Sequence, residues 1–379
     1  MKKKICFIVA IPGSANSFLK DHITALSQQY HITLAGDINS PKEVSGLRID
    51  KLKKINIVRK ISLLDDLKAL VRLYRFFRAE QFSAVHSVTP KAGLLTAIAS
   101  FMARVPHRIH IFTGQVWATK SGIMRFILKK MDRIIALLNN HLLVDGQSQR
   151  HFLIQQNVIS EQNSMVLGEG SICGVNTHRF EPSNKIKKEI RASIGVDDNQ
   201  VVFIFLGRLN RDKGIYELLQ AYNRLAEENP NTYLLLVGSD EENCLASLAQ
   251  YAHIKEGTNF KFCGHTSKPE EVLQAGDVFC LPSYREGFGS SALEAACLGI
   301  PVICSDAYGL QDAYVNHQTG LKCKVGDSES LYNQMLILHR DKTLRTTYGT
   351  NGRDRVLAKF TNEEITNKWV QFYESLLSQ

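Results

Sequence analysis

Short apolar segments alternate with longer amphipathic segments along this chain, and the alternation occurs twice. In the first half the apolar segments are 5–10, 31–34, 84–86, 108–112 and 141–144, with helical periodicity between them, as at 18–29, 63–79 and 91–103. In the second half the apolar segments are 201–206, 233–237, 259–262, 278–281 and 302–304. Strands that alternate with helices favour a parallel sheet covered by helices on both faces. The sequence therefore predicts an α/β protein with two doubly wound domains.

The glycines at 168, 170 and 174, with Pro182 beyond them, predict the boundary between these domains. A chain of 379 residues is long enough for each domain to bury its own core. A helix predicted at 362–377 has one broad apolar face, which must pack against another part of the protein.

Charge is distributed unevenly along the chain. Residues 1–180 carry 25 Lys and Arg against 11 Asp and Glu, whereas the remainder carries 21 against 26. A basic half suggests a domain that faces an anionic surface or substrate, although an ordinary solvated basic surface remains an alternative. Because no recognition-helix, zinc-finger or RNA-binding signature is present, we do not expect nucleic acid to be the partner.

Several classes of protein are disfavoured by what the sequence lacks. The longest largely apolar run, 94–103, is too short to span a bilayer, and the amino-terminal apolar segment ends in Pro12-Gly13 without a signal-peptide cleavage site. The eight cysteines are scattered singly, which suggests free thiols in a reducing cytoplasm. We find no Asp-x-Asp pair and no His/Glu metal-binding spacing, so we expect neither a metal nor another cofactor.

Two cations follow the predicted strand at 201–206. Arg208 and Lys213 are five positions apart across a strand-to-helix turn, so both side chains can point towards the carboxyl edge of the sheet. A guanidinium and an ammonium group at such a position can stabilise the charge of a departing diphosphate. Two exposed loop charges without a function are the alternative.

A glycine-rich turn with two carboxylates follows the predicted strand at 278–281. Glu286 stands in the turn, seven residues separate it from Glu294, and Gly287 and Gly289 allow a ligand to approach the backbone closely. A helix that begins near Ser290 would direct its first N–H groups at phosphate. Since carboxylates repel phosphate, the two glutamates are better suited to accept hydrogen bonds from sugar and ribose hydroxyls. The alternatives are that Glu286 is a solvated turn residue and that Glu294 is an ordinary helix-surface residue.

The amino-terminal half carries weaker signals. The segment 11–17, which includes Gly13, predicts a small polar loop that could admit an acceptor, or a simple tight turn. His86 and His110 lie near predicted strand ends, where structural histidines are commoner than catalytic ones. The basic helix at 63–79, and Lys129, Lys130 and Arg133, could contact an anionic membrane, although a helix packed on the sheet explains 63–79 better.

At these residues the chain resembles the retaining glycosyltransferases of family 4, which have the GT-B fold. The resemblance rests on Gly207-Arg208-Leu209 with Lys213-Gly214, and on the block from Leu281 through Glu286 to Glu294. It is specific over roughly residues 170–358. The amino-terminal half is more loosely similar to bacterial O-antigen and capsule transferases, through residues 86–93 and 108–117.

The resemblance implies a GT-B architecture in which two Rossmann-like domains face a central cleft. It implies an acceptor-binding domain at 1–174, a nucleotide-sugar-binding domain at 175–358, and a helix within 359–379 that packs back on the first domain. It also implies site roles: Arg208 and Lys213 bind the donor diphosphate, Glu286 contacts the donor sugar and Glu294 the ribose. Further donor contacts are implied for Gly287, Phe288, Gly289 and Ser290, and Gly264 would lie in a loop near the base.

The amino-terminal half departs from the family pattern in two places. Thr113-Gly114 occupies the position of a usual His-Gly pair, and the loop with Gly13 has one glycine instead of two. Gly13, Thr113 and Gly114 therefore stand as the candidate substrate contacts of this half, and His110 cannot be assumed to replace the missing histidine.

The sequence thus predicts a metal-independent, retaining glycosyltransferase. It would transfer a hexose or N-acetylhexosamine from a nucleotide diphosphate donor, for which a UDP-sugar is expected, to a polyprenyl diphosphate-linked glycan of a bacterial surface polysaccharide. It would be a cytoplasmic protein on the anionic inner face of the cytoplasmic membrane. A UDP-sugar epimerase with the same fold and an inactive sugar- or lipid-binding module are the alternatives.

Overall fold

The protein is described here by a computed structural model that covers residues 2–57, 62–197 and 199–378. The chain divides into two compact units, of which the first comprises Met1–Gly174 with Asn362–Gln379 and the second Val175–Thr361. The predicted boundaries were 174/175 and 358/359. Each unit is described separately.

The first unit contains a parallel sheet of seven strands within the described residues. Its strands are β1 (Lys4–Val9), β2 (His31–Gly36), β3 (Lys51–Lys54), β4 (Ala84–Val88), β5 (His107–Phe112), β6 (His141–Val144) and β7 (Ser164–Met165). Its helices before residue 174 are α1 (Pro12–Phe18), α2 (Lys20–Leu26), α3 (Leu63–Glu80), α4 (Pro90–Met102), α5 (Gly122–Leu138) and α6 (Gln147–Gln155). The spatial order is β3-β2-β1-β4-β5-β6-β7, so the strand order reverses beside β1 as in a doubly wound sheet.

The second unit contains a parallel sheet of six strands within the described residues. Its strands are β8 (Val201–Leu206), β9 (Thr232–Val237), β10 (Phe260–Phe262), β11 (Val278–Leu281), β12 (Val302–Ser305) and β13 (Gly320–Cys323). Its helices are α7 (Asn184–Ser193), α8 (Ile215–Glu228), α9 (Pro269–Val272), α10 (Ser290–Cys297), α11 (Ser328–Arg340) and α12 (Lys342–Lys359). The order β10-β9-β8-β11-β12-β13 places β8 and β11 side by side. The predicted α/β class with two doubly wound sheets is confirmed.

The last helix, α13 (Asn362–Leu377), belongs to the first unit. Its Trp369 is buried between two histidines, with ring centroids 4.3 Å from His22 and 5.0 Å from His86 and nearly parallel planes. The hydroxyl of Tyr373 lies 2.8 Å from Nδ1 of His86. Burial lowers the pKa of His22 to about 4, so this ring is neutral at pH 7. The apolar face of α13 thus completes the core of the first unit.

One expectation about the first unit is wrong. Most of the segment 11–17, predicted to be a loop, belongs to the short helix α1 (Pro12–Phe18), and the helix predicted at 18–29 is confined to α2. Pro12 is the first residue of α1, a position at which its fixed φ and its missing N–H are compatible with a helix. Gly13 therefore lies in the first turn of a helix, and a Cβ on it would have no atom within 4 Å.

Within the described ranges, none of the helices combines the length and the apolar content needed to span a bilayer.

Candidate functional site

The two predicted donor-binding segments meet at one edge of the second unit's sheet. β8 and β11 are parallel neighbours, so the loops after them lie at the same edge. Lys213, in a turn of 3₁₀ helix after β8, places Nζ 2.5 Å from Oε1 of Glu286, in the loop after β11. The hydroxyl of Ser283 donates to the same carboxylate oxygen at 2.8 Å. The structure therefore brings these two predicted residues into direct contact, and both charged side chains are largely buried.

A second ion pair, absent from the sequence analysis, joins the same two loops. Nε and Nη2 of Arg285 each lie 2.8 Å from Oδ2 of Asp212, and the backbone N–H of Tyr284 donates to the carbonyl of Asp212 at 2.8 Å. The Tyr284 hydroxyl donates to Glu217, on α8, at 2.7 Å. Because Asp212 precedes Lys213 and Arg285 precedes Glu286, these contacts fix the spacing of the inner pair. Asp212 and Arg285 could have been found from the sequence, because each carries a charge opposite to that of the predicted residue beside it.

Arg208 does not join this pair in the structure. Its Nη1 lies 2.9 Å from Oε2 of Glu241, in the turn after β9, and the amide of Asn210 donates to the same oxygen at 3.3 Å. About half of the Arg208 side chain is exposed. Glu241 was not among the residues predicted from the sequence. The guanidinium is therefore held by a carboxylate at the position where an anionic ligand was expected.

The glycine-rich turn leads directly into α10, as predicted. Gly289 caps the helix with φ +92°, and a Cβ at this position would lie 2.4 Å from a methyl carbon of Leu310. Phe288 is 2 % exposed and packs against Phe360, so only its backbone can face a ligand. Gly309, which the sequence analysis missed, comes so close that its Cβ would lie 2.0 Å from the carbonyl oxygen of Glu286. Both glycines are thus needed for the backbone around Gly287 and Ser290.

Glu294 lies on α10 in a poorly solvated environment. Burial raises the pKa of its carboxyl to about 7, the nearby Arg179 opposes this shift, and Glu270 adds to it. Arg179 forms an ion pair with Glu270 at 2.7 Å. Glu294 therefore changes its charge near neutral pH.

Gly264 lies in the loop after β10. It has φ +65°, and a Cβ there would meet open space within 4 Å. Its carbonyl accepts a hydrogen bond from the N–H of Gly238 at 2.8 Å. The geometry leaves room beside Gly264 for a ligand, and its contact with the base stays a prediction.

The candidates in the first unit follow β1 and β5. The carbonyl of Thr113 accepts hydrogen bonds from the side-chain amides of Gln115 and Gln149, each at 2.5 Å, which fixes the segment that includes Gly114. His110 is buried within β5, and its Nδ1 lies 2.9 Å from the hydroxyl of Ser87. Burial lowers the pKa of His110 to about 3. His110 is therefore a neutral residue in the core of the first unit.

Two further observations concern the surroundings of these residues. Among the described residues, no group of three or more His, Cys, Asp and Glu side chains is arranged to hold a metal ion. A cavity of about 280 Å³ in the second unit contains none of the candidate residues, and lies at the amino edge of the sheet beside Lys187, Asp277 and Pro301.

Comparisons with known proteins identify the family of this chain. Residues 186–355 match the family described as glycosyl transferases group 1. The chain is 32% identical over 326 residues to the capsular polysaccharide biosynthesis glycosyltransferase CapM of Staphylococcus aureus, which covers 86% of this chain and 85% of CapM. The chain belongs to the group 1 glycosyltransferases. Within this glycosyltransferase, the matched range contains every predicted residue of the second unit.

Two other proteins are similar over most of the glycosyltransferase. A UDP-Gal:α-D-GlcNAc-diphosphoundecaprenol α-1,3-galactosyltransferase of Escherichia coli is 27% identical over 327 residues, covering 84% of this chain and 81% of that protein. The crystal structure of Anabaena Alr3699/HepE in complex with UDP and glucose covers 100% of both chains with a TM-score of 0.80 at 20% identity, which establishes the GT-B fold. The predicted glycosyltransferase function is confirmed, and these relatives give no support to an epimerase or an inactive binding module.

Proposed function

We propose that this glycosyltransferase transfers a hexose or N-acetylhexosamine from a UDP-sugar to a glycan linked to a polyprenyl diphosphate. The observation that carries the proposal is the contact of Lys213 with Glu286 beside the amino terminus of α10. The names of the relatives support the substrate classes, since the E. coli enzyme is named for UDP-Gal and a diphosphoundecaprenol acceptor. The polymer would be a bacterial surface polysaccharide, such as capsule or O-antigen.

The cations of the second unit would neutralise the leaving UDP. The Lys213 ammonium has three N–H donors, of which the contact with Glu286 occupies one, so two remain for diphosphate oxygens. Arg208 would add its planar guanidinium once the diphosphate replaces Glu241, and the first N–H groups of α10 would add further donors. These fixed charges stabilise the negative charge that develops as the sugar departs, so we propose that no metal ion is needed.

The carboxylates would orient the sugar and the nucleoside. Glu286, fixed by Lys213 and Ser283, would accept hydrogen bonds from donor-sugar hydroxyls, and Glu294 would accept them from the ribose. Gly287, Gly289 and Ser290 would let the backbone approach the donor. Gly264 would border the base, whereas Gly13, Thr113 and Gly114 would serve the acceptor in the first unit.

We propose that the reaction retains the anomeric configuration by attack on the same face as departure. The bond from the anomeric carbon to the UDP oxygen breaks, and the bond from that carbon to the acceptor oxygen forms. The proton of the acceptor hydroxyl passes to the phosphate oxygen that leaves. Since the acceptor carries a lipid, the enzyme would act as a peripheral protein at the inner face of the cytoplasmic membrane.

A transfer assay with EDTA tests the reaction as proposed. We expect label to pass from a UDP-hexose or UDP-N-acetylhexosamine to a lipid diphosphate-linked N-acetylhexosamine at an undiminished rate when EDTA is present. NMR coupling constants should show that the new linkage has the same anomeric configuration as the donor. Abolition of transfer by EDTA would refute the metal-independent mechanism, and an inverted linkage would refute retention.

Glu241→Gln should lower the KM for the donor. The carboxylate competes with the diphosphate for Arg208, but an exposed ion pair contributes no more than about 1 kcal/mol, so the effect should be about fivefold at most. Steady-state kinetics with varied UDP-sugar measures it, and Glu256→Gln, on the exposed surface of the same unit, is the matched control. A raised KM would show that Glu241 assists donor binding.

Donor affinity should fall as the pH drops through 7. With its pKa raised to about 7, Glu294 is mostly ionised at pH 8 and mostly protonated at pH 6, and the ionised form is the better acceptor for ribose hydroxyls. The KM for the donor should therefore rise by up to about tenfold from pH 8 to pH 6. Glu294→Gln should raise KM at pH 8 and flatten this profile; an unchanged profile would contradict the assignment.

A further inference from the structure

The first unit leaves an apolar face of α5 uncovered. Its outward side chains recur at helical spacing along the whole helix, and Ile123 and Leu137, near its ends, are 76% and 80% exposed. The other exposed members of this face are Phe126, Ile127 and Ile134. The opposite side of α5 already packs in the core through Ile135 and Ala136. The exposed face is therefore a second apolar surface, which folding of this chain alone does not explain.

Exposed apolar side chains also occur on α3. Leu63 and Leu64, in its first turn, are 84% and 74% exposed, and Leu67 and Val71 continue the face. α4 packs between α3 and α5, so the three helices form one layer on the sheet. We call the exposed residues 63, 64, 67 and 71 of α3 and 123, 126, 127, 134 and 137 of α5 the α3–α5 face.

The α3–α5 face begins at the edge of the sheet that binds ligands in this class of fold. In a parallel sheet, the helix after a strand starts at the carboxyl edge, and α5 follows β5 in this way. Lys91, in the first turn of α4, pairs with Asp66, in the first turn of α3, at 2.7 Å, so these two helices begin at the same edge. The proposed acceptor contacts Thr113 and Gly114 lie between β5 and α5, at that edge.

Positive charge accompanies the apolar side chains. α5 carries four cations, Arg125, Lys129, Lys130 and Arg133. Nζ of Lys130 lies 5.5 Å from the ring centroid of Phe126 on the exposed face, whereas the other three cations also donate hydrogen bonds to residues 156 and 157. Within this fully described helix the only acid is Asp132, which is buried and accepts a hydrogen bond from the Trp117 indole at 2.7 Å. α3 adds four more cations, Lys68, Arg72, Arg75 and Arg78, and its three acids, Asp65, Asp66 and Glu80, each pair with a lysine.

We propose that the α3–α5 face docks on the surface of an anionic lipid bilayer. The apolar side chains would enter the boundary between headgroups and acyl chains, and the cations beside them would contact lipid phosphates. A second copy of the chain fits this surface less well, because it would bring two basic faces together. The choice of a bilayer rests on the proposed function, whose acceptor carries a lipid; the location of the surface rests on exposure and charge alone.

Vesicle binding tests the apolar part of the α3–α5 face. We expect sedimentation with vesicles of phosphatidylglycerol and phosphatidylcholine (3:7), and at least tenfold weaker binding by the double variant Phe126→Ser/Ile127→Ser. Ile337→Ser/Leu357→Ser is the matched control, since both residues are apolar and similarly exposed in the second unit. Equal binding by the Phe126→Ser/Ile127→Ser variant and the unaltered protein would overturn the proposal.

Charge reversal tests the electrostatic part. Lys129→Glu/Lys130→Glu should weaken binding to the anionic vesicles at least tenfold, and binding of the unaltered protein should fall as salt is raised. Lys185→Glu/Lys188→Glu, exposed on α7 of the second unit, should leave it unchanged. Binding that is as strong to pure phosphatidylcholine as to the anionic mixture would overturn the proposal, as would self-association in sedimentation that Phe126→Ser/Ile127→Ser abolishes.

A water-soluble acceptor separates this inference from the proposed function. Transfer to a short-chain lipid diphosphate sugar should proceed normally in the Phe126→Ser/Ile127→Ser variant while vesicle binding is lost, which supports both. If the unaltered protein transfers no sugar to any acceptor, but its vesicle binding depends on the α3–α5 face, the proposed substrates are wrong and the docking surface stands.

Discussion

Replacement of Lys213 by alanine should lower kcat for sugar transfer by about 10²- to 10³-fold, as loss of one fixed group that stabilises transition-state charge typically does. Two effects add here. The leaving UDP loses an ammonium group, and the Glu286 carboxylate loses the partner that lies 2.5 Å away and becomes free to reorient. Steady-state kinetics with saturating UDP-sugar and acceptor measures the change.

The control for this prediction is Lys255→Ala, which removes an exposed lysine from the same unit. It should leave kcat unchanged, and the thermal unfolding of both variants should stay close to that of the unaltered protein. Near-normal turnover by the Lys213→Ala variant would refute the role assigned to this side chain. A lowered kcat with a matching loss of folded protein would assign Lys213 to stability instead.

Replacement of Trp369 by alanine should destabilise the first unit by about 3–5 kcal/mol, the usual cost of truncating a large buried aromatic residue. The indole is 1% exposed and lies between the rings of His22 and His86, so its removal leaves a cavity that neither imidazole can fill without losing its hydrogen bonds. Tm should fall by roughly 10 °C.

Differential scanning calorimetry checks this second prediction, with Gln371→Ala as the control because residue 371 is exposed on the same helix. The control should change stability by less than about 0.5 kcal/mol. A Trp369→Ala variant as stable as the control would show that α13 contributes little to the core of the first unit.

Buried elements were the most predictable from the sequence. The predicted strands at 201–206 and 278–281 and the predicted helix at 362–377 have the bounds of β8, β11 and α13. The two strands are nearly continuous runs of buried apolar residues, and α13 repeats its apolar residues at helical spacing, so local pattern and tertiary environment agree.

Elements without such a pattern were missed. β3 consists of Lys51-Leu52-Lys53-Lys54 at the edge of the sheet, where three lysines are exposed and no apolar alternation can develop. α1 consists largely of small polar residues that are typical of a turn, and Pro12, whose fixed φ suits a first helical position, starts the helix. Of α5, only Lys129, Lys130 and Arg133 were noted from the sequence. The helix itself was missed because apolar residues on both of its sides obscure the helical period.

The candidate site was predictable in its residue types but not in its pairings. Parallel strands and the residues after them placed Lys213 and Glu286 at one sheet edge. However, Arg208 could pair with several carboxylates by sequence alone, and only the tertiary structure selects Glu241. The Asp212–Arg285 pair joins residues 73 positions apart, a separation at which charge pattern gives no information about contact.

The chain passes between the two units twice, and Val175 and Thr361 form a β-bridge where it does so. A ribosome therefore releases the second unit before it releases α13, although α13 completes the first. Until residue 377 has been synthesised, the groove that receives Trp369 and Tyr373 stays open to solvent or to chaperones. A fragment that ends at 174 should consequently be prone to aggregate, and a peptide of residues 362–378 supplied in trans should restore its solubility.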